Sequence, residues 1–352
     1  MSAAHLPLLR ETAEEVHHSF QSRAAITAIG SCVPPDVITN ADLERMVDTN
    51  HEWIVRRTGI VTRHRAREDE FTSHLAIAAV RDLLARYPVR SDDIDGIIVA
   101  TTTPDMPCPS VASQVQRAIG MPRALAVDIN AACAGFVTGL QIANGLILTG
   151  AYRKILVIGA ETLTKATDYT DRSTCILFGD GAGAVLVEAA PEGAFLSSYA
   201  STDGTGGHHV YMTGLSRHLG EQLLNGEGKL VQNGREVYKW ALQTLPDAIR
   251  ELVAAAGSTL EEVDWVVPHS ANLRMIEGIC ERLAISPDKA LQSVVDNGNT
   301  SAASIPLALD AAVRNGQLQP GHLAVLIGFG SGLTQSGVVL RWTASAPSNG
   351  AI

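Results

Sequence analysis

The chain is 352 residues long, 46% hydrophobic and 18% charged, with a formal net charge of −10. This apolar share supports a well-buried core and excludes a globally disordered chain, and the length fits two domains or one large fold. The acidic balance argues against wrapping nucleic acid, which needs surplus Lys and Arg to neutralise phosphates, and equally against an anionic membrane surface; any acidic partner must meet a local basic patch.

Residues 1–24 carry Glu11, Glu14, Glu15 and three histidines. They lack the basic start and apolar core of a signal peptide, so they are expected to be an extension with one helix over 11–21. No stretch of about 18 apolar residues occurs, so no membrane span is expected. The five cysteines (Cys32, Cys108, Cys133, Cys175, Cys280) form no CxxC pair. That is neither a zinc spacing nor a dense disulfide framework, and a reduced, cytoplasmic chain fits it best. In chain order, the pattern predicts a helix over Leu75–Arg86, a strand over Ile97–Thr101 and a helix over Ser110–Ile119. A strand over Ala124–Asp128, a helix over Gly135–Leu148 and strands over Ile155–Gly159 and Ala182–Val187 follow. Strands with so little polar alternation imply a sheet covered on both faces, hence an α/β fold.

The chain also resembles itself. The run from Asp92 to Thr101 is similar to that from Glu261 to Ser270, and the run from Lys154 to that from His322, at offsets of 169 (264 − 95) and 168 (322 − 154). The helix Leu75–Arg86 has a counterpart in Val237–Ala255. Buried strands look alike by chance, but two matches at nearly one offset point to an internal duplication. The expected halves span 25–190 and 191–345, with a tail at 346–352. A pseudo-twofold axis between them would bring the loop after Asn130 to face those after Pro268 and Val295.

Three residues on those loops offer chemistry. Cys133 stands between a strand and a helix, where the positive end of the helix dipole would favour a thiolate. His269 follows the strand Trp265–Val267 and a proline. Asn299 lies in the polar turn Asp296–Ser304. Taken singly, each also reads as ordinary structure: a small buried hydrophobe, a satisfied histidine, a helix-capping turn. Together they offer a soft nucleophile, an imidazole and an amide donor. The glycine runs Gly179–Gly183 and Gly328–Gly332 lead into strands rather than helices, so they lack the helix terminus of a dinucleotide site. They are expected to be tight turns with exposed amides able to hold an oxyanion.

These motifs, with Asn50–Ile60, Phe178–Ala184 and Gly298–Pro306, resemble the β-ketoacyl-acyl-carrier-protein synthase III family of the thiolase superfamily, over about Ala25 to Trp342. Asp264–Ile276 looks particularly like the second isoform of Bacillus-type bacteria. The resemblance implies a five-layer αβαβα thiolase-like fold of two duplicated halves, and an acyltransferase that begins fatty acid synthesis. Cys133 would take an acyl group from a short acyl-CoA, and His269 and Asn299 would stabilise the enolate formed as malonyl-acyl carrier protein loses carbon dioxide. The backbone amides of Cys133 and Ser331 would hold the oxyanion. The resemblance also implies Thr49, Trp53, Arg57, Arg172 and Asn272 as CoA contacts, and Lys239, Arg274 and Arg282 as the basic patch for an acidic carrier protein. It implies a homodimer in which Cys108 reaches from the partner subunit to floor the acyl pocket, and no metal or redox cofactor.

Two departures stand out. Ser331 and Gln335 replace a glycine and an aromatic of the family's C-terminal turn, which tests the oxyanion geometry. Cys108 replaces a common Phe, which predicts room for branched or medium-length primers. Among rivals, a biosynthetic thiolase would need a second catalytic Cys where Ser331 stands. Type III polyketide synthases share the Cys–His–Asn set but extend with free CoA thioesters. A synthase-III-like enzyme condensing or transferring a specialised acyl group in secondary metabolism would be told apart by carrier-protein dependence, and a non-catalytic acyl-CoA-binding subunit would have no need of all three residues.

Overall fold

Strands that are apolar on both sides fold stably only where both sides are covered. The computed structural model of the protein, which describes residues 20–346, meets that demand with two main sheets. The helix expected over 11–21 lies outside the described residues except for Phe20 and Gln21, which are not helical. The first sheet contains β1 (Ala24–Cys32), β2 (Gly96–Ala100), β3 (Leu125–Ile129), β4 (Lys154–Thr162) and β5 (Asp180–Ala189), in the order β1-β5-β4-β2-β3. The second contains β6 (Phe195–Thr202), β7 (Trp265–Pro268), β8 (Leu323–Gly330) and β9 (Thr334–Arg341), in the order β7-β8-β9-β6.

The principal helices are α1 (His51–Thr58), α2 (Thr72–Arg86), α3 (Val111–Ile119), α4 (Gly135–Leu148), α5 (Gly234–Ala255), α6 (Leu273–Leu283) and α7 (Ser304–Arg314). Helices α2 and α3 cover the outer face of the first sheet, and α5 with α6 the outer face of the second. Helices α4 and α7 lie between the sheets and touch strands of both, completing five αβαβα layers of the thiolase-like kind. The four helices predicted beyond residue 24 are present, and their ends follow local chemistry. Helix α3 begins one residue after Ser110, whose Oγ accepts from Ser113 N–H at 3.1 Å, and the Asp128 carboxylate accepts the Val111 and Ala112 amides at 2.7 and 2.8 Å. An anion on a helix N-terminus is favourable. Among the described residues no helix is long and apolar enough to cross a membrane.

The repeat seen in sequence reappears in strand register. In the first sheet β2 pairs in parallel with β4, Gly96 opposite Ile155. In the second, β7 pairs in parallel with β8, Trp265 opposite Ala324. Both pairs are 59 residues apart (155 − 96 and 324 − 265), at an offset of 169 (265 − 96). The central helices start at Gly135 and Ser304, again 169 apart (304 − 135). Each is entered through a single 3₁₀ turn, over Ala132–Ala134 and Ser301–Ala303. These two turns pack against each other where the halves meet.

Candidate active site

Those paired turns build the site. In each, the first residue has a left-handed backbone: Ala132 at φ 46° and Ser301 at φ 48°. L-residues adopt this conformation only when their surroundings hold them there. In each, an asparagine two residues earlier provides a brace. Asn130 Oδ1 accepts the Ala132 amide at 3.2 Å, and Asn299 Oδ1 accepts the Ser301 amide at 2.9 Å. One local design, used twice, therefore carries Cys133 in the first half and Asn299 in the second. Glycines let the turns meet the opposite sheets. A Cβ on Gly159 of β4 would stand 2.1 Å from the Ala302 carbonyl oxygen, and one on Gly328 of β8 would stand 2.8 Å from Ala134 Cα. These two glycines are also 169 residues apart (328 − 159).

Cys133, His269 and Asn299 line one cavity of about 580 Å³, together with Phe178, Phe329 and Ser331. His269 stands just beyond β7, its amide donating to Ile327 O at 2.8 Å, and its ring meets Phe329 edge-on at 5.2 Å between centroids. Its Nδ1 lies 2.7 Å from Ser304 Oγ. Asn299 is pinned at both backbone ends. Its amide donates to Leu177 O at 2.8 Å, and its carbonyl accepts from Gly179 N–H at 3.1 Å. That bond corrects one expectation: the Gly179 amide is committed to holding Asn299 and is not an exposed oxyanion donor. The other glycine run does reach the thiol, since a Cβ on Gly330 would stand 3.1 Å from Cys133 Sγ. In the turn that follows, the positive φ falls on Gly332 at 139° and not on Ser331, so a side chain is tolerated at 331. Ser331 Oγ donates to Val210 O at 2.6 Å, tying the Gly204–Met212 wall of the cavity to this turn.

The electrostatics reverse a second expectation. Burial pushes the Cys133 thiol from about 9 up to about 12, with a hydrogen bond from Ser301 opposing and the nearby Glu161 charge adding to the rise. That change corresponds to about 4 kcal/mol, whereas a helix N-terminus supplies at most about 2 kcal/mol. The resting nucleophile is therefore a neutral thiol. Burial likewise pushes His269 down to about 3, so its imidazole is neutral. Glu161, fully buried at the end of β4, accepts from Thr102 N–H and Thr103 N–H at 3.1 Å each and from the Thr103 hydroxyl at 2.5 Å. Burial nevertheless raises its pKa. Sequence reading overlooked Glu161 and Ser304. The only signal for the first was a carboxylate ending an otherwise apolar strand, and for the second a serine repeated within a small-residue run.

The outer residues are distributed as follows. The Arg172 guanidinium sits 4.8 Å from the Trp53 ring centroid and Arg57 5.8 Å from the same ring. Arg172 also donates to Asp48 O at 2.8 Å. A base entering between Trp53 and Arg172 must displace the guanidinium, already at cation–π contact distance. Thr49 Oγ1 is buried without a hydrogen-bond partner. Asn272 caps α6, its Oδ1 accepting the Arg274 amide at 2.8 Å. Lys239 and Arg282 are exposed. Arg274 is largely committed elsewhere: it donates to Arg56 O and Val55 O at 3.1 Å each, closing the C-terminal end of α1, and pairs with Glu277 at 2.8 Å. Cys108 is exposed on the loop between β2 and α3 and does not line the cavity of its own chain.

The family profile described as 3-oxoacyl-[acyl-carrier-protein (ACP)] synthase III matches residues 127–204, and its C-terminal counterpart matches 253–342. A relative from Halalkalibacterium halodurans, named beta-ketoacyl-[acyl-carrier-protein] synthase III 2, is 55% identical over 330 residues, covering 93% of this chain and 99% of the relative. The protein of that name from Bacillus subtilis is 53% identical over 322 residues, covering 91% of this chain and 99% of its own. The crystal structure of a β-ketoacyl-[acyl carrier protein] synthase III from Thermus thermophilus superposes with a TM-score of 0.88 at 43% identity, covering 91% of this chain and 100% of that one.

Proposed function

Because this chain belongs to the 3-oxoacyl-[acyl-carrier-protein] synthase III family, we propose that it catalyses the condensation that initiates fatty acid synthesis, joining a short acyl-CoA primer to malonyl-acyl carrier protein. In the first step Cys133 Sγ attacks the primer thioester. The C–S bond to CoA breaks, the thiol proton leaves with the CoA sulfur, and an acyl-Cys133 thioester remains. In the second step the malonyl carboxylate departs as carbon dioxide. The electron pair of the broken C–C bond becomes an enolate, whose oxygen accepts hydrogen bonds from His269 and the Asn299 amide. The carbanion carbon attacks the acyl group, the amides of Cys133 and Ser331 hold the oxyanion, and the Cys133 thiolate leaves and is reprotonated. Each such donor is worth on the order of 10²–10³ in rate. A neutral imidazole suits this role, since it donates a hydrogen bond without delivering a full charge. All these steps are assigned to the protein's own groups, with no metal or redox cofactor.

The observation that carries this reading is one cavity lined by a thiol, an imidazole and a carboxamide from three segments far apart in the chain. The Trp53–Arg172 pair suits the CoA adenine, with Thr49 and Arg57 assigned to its nucleotide end and Asn272 to the pantetheine arm, and Lys239 and Arg282, with the half-engaged Arg274, suit an acidic carrier protein. A homodimer is part of the proposal. Strand β3 is an edge strand whose residues are only partly covered, and a second copy pairing there would continue the sheet. Such a partner would bring its Cys108 loop to the acyl pocket. Free thiols throughout the described chain fit a reducing cytoplasm. The test is a primer-CoA panel with malonyl-carrier protein, with intact-mass detection of acyl-Cys133. Cys133→Ala should lose both the acyl adduct and the product; product formation by that variant refutes the assignment. A tenfold preference in kcat/KM for acetyl-CoA over isobutyryl- and hexanoyl-CoA would refute the enlarged pocket predicted from Cys108.

A further inference from the structure

We propose that Ser304 is a positioning residue that locks His269 in the Nε2–H tautomer, so that the imidazole presents a proton donor to the cavity. The inference deepens the function proposed above and rests on it for its catalytic meaning. It starts from a count of donors and acceptors around one buried oxygen. Ser304 is 0% exposed and His269 1%. Ser304 Oγ lies 2.7 Å from His269 Nδ1 and accepts the Ser270 amide at 3.2 Å. A hydroxyl has one proton to give. Among the described residues the only acceptor within reach of that proton is His269 Nδ1. If Nδ1 carried the ring proton instead, Oγ would accept two bonds and its own proton would have none, the unfavourable outcome for a buried polar group. The satisfied arrangement has Ser304 O–H donating to Nδ1, which leaves the ring proton on Nε2.

The serine is itself held in place. It opens α7, its carbonyl accepts from Ser293 Oγ at 2.9 Å, and Ser270 Oγ accepts the Ser293 amide at 3.0 Å. Three buried serines thus brace the imidazole from behind, while Phe329 meets its edge. Ser304 does not line the cavity, so its influence on the reaction passes through the ring. The consequence is chemical. Stabilising an enolate oxygen beside the Asn299 amide requires N–H at the cavity-facing nitrogen. The other tautomer would place a lone pair there and repel the developing charge.

The experiment uses the full-length enzyme labelled with [15N]histidine. Long-range 1H–15N spectra report the tautomer, and His269 is assigned by its absence in His269→Asn. Two half-reactions are followed in parallel: acyl transfer from acyl-CoA to Cys133, and decarboxylation of malonyl-carrier protein. Wild type should show the Nε2–H pattern. Ser304→Ala should show a mixed or Nδ1–H pattern, with decarboxylation down roughly 10–100-fold and acyl transfer near wild type. Ser293→Ala disturbs the same serine brace but keeps the Ser304 hydroxyl, and should retain Nε2–H. An Nδ1–H signal in wild type overturns the proposal even if Ser304→Ala does not fold. So does a folded Ser304→Ala that keeps Nε2–H and full decarboxylation, or that loses both half-reactions equally. Failure of wild type to acylate Cys133 would instead refute the functional reading, leaving the tautomer assignment to stand or fall on the spectra.

Discussion

Gly159→Ala should separate the two halves of the reaction. A methyl at this position would lie 2.1 Å from the backbone oxygen of Ala302, and ordinary contact begins near 3.4 Å. The Ser301–Ala303 turn, or β4 itself, must therefore shift by about 1.3 Å (3.4 − 2.1). Strand β4 is hydrogen-bonded on both sides, Gly159 standing opposite Ala100 and Gly183, so the turn is the part that yields. That turn follows Asn299 and is tied to it by the Ser301 amide. A misplacement of about 1 Å in a positioned group costs on the order of 10² in rate. Decarboxylation of malonyl-carrier protein should fall about 100-fold, while acylation of Cys133 is less affected. The symmetric variant, Gly328→Ala, needs a smaller shift of about 0.6 Å (3.4 − 2.8), but against the backbone that carries Cys133. It should slow acylation first. Stopped acyl transfer by intact mass and carbon dioxide release from malonyl-carrier protein read the two steps. If Gly159→Ala folds and leaves both rates unchanged, or if the two variants impair the same step, the account of crossed turns seated on glycines is wrong.

Four further outcomes follow from the site. With its thiol raised to about 12, Cys133 is only about 10⁻⁵ thiolate at pH 7, against about 3 × 10⁻² for an unperturbed cysteine. Iodoacetamide should therefore modify Cys133 slowly, at a rate still rising at pH 9; fast labelling of Cys133, flat from pH 6 to 9, would contradict this. Because burial holds His269 near 3, decarboxylation should stay level from pH 6 to 8, and an inflection near 6.5 would show the imidazole titrating. The sign for stability is that of a depressed group. The contribution of His269 is present above about 6.5 and is lost as pH falls toward 3, which urea unfolding across that range would reveal. Finally, Trp53→Ala removes the ring on which Arg172 and Arg57 rest. A cation–π or stacking contribution of about 0.5–2 kcal/mol predicts a KM for acyl-CoA higher by roughly 2- to 30-fold with kcat little changed, and an unaltered KM removes Trp53 from the CoA site.

Much of this molecule is legible in its amino-acid string alone. Apolar runs without alternation marked buried strands, and the Gly135–Leu148 helix falls where periodicity placed it, because side-chain period and backbone propensity are local properties. The repeat was legible as well. Its offset of 169 reappears in strand pairing, in helix starts and in the two left-handed residues Ala132 and Ser301. Cys133, His269 and Asn299 were found as residues of the right chemistry in loops that a duplication would bring together. What the local string could not supply was the environment of those groups. A helix terminus after Cys133 suggested a depressed thiol, but desolvation by segments more than a hundred residues away outweighs the dipole and raises it. Gly179 looked free to hold an oxyanion until Asn299 took its amide, and part of the Arg274 guanidinium proves to be engaged by the end of α1. The hydroxyl of Ser304 acquires meaning only because His269 folds against it from 35 positions away. Burial and hydrogen-bond partnership are set by whichever segments pack nearby in space. The sequence therefore determined the elements, their repetition and the chemical kinds at the site, and the tertiary structure decided their protonation, their partners and which of them remain free to react.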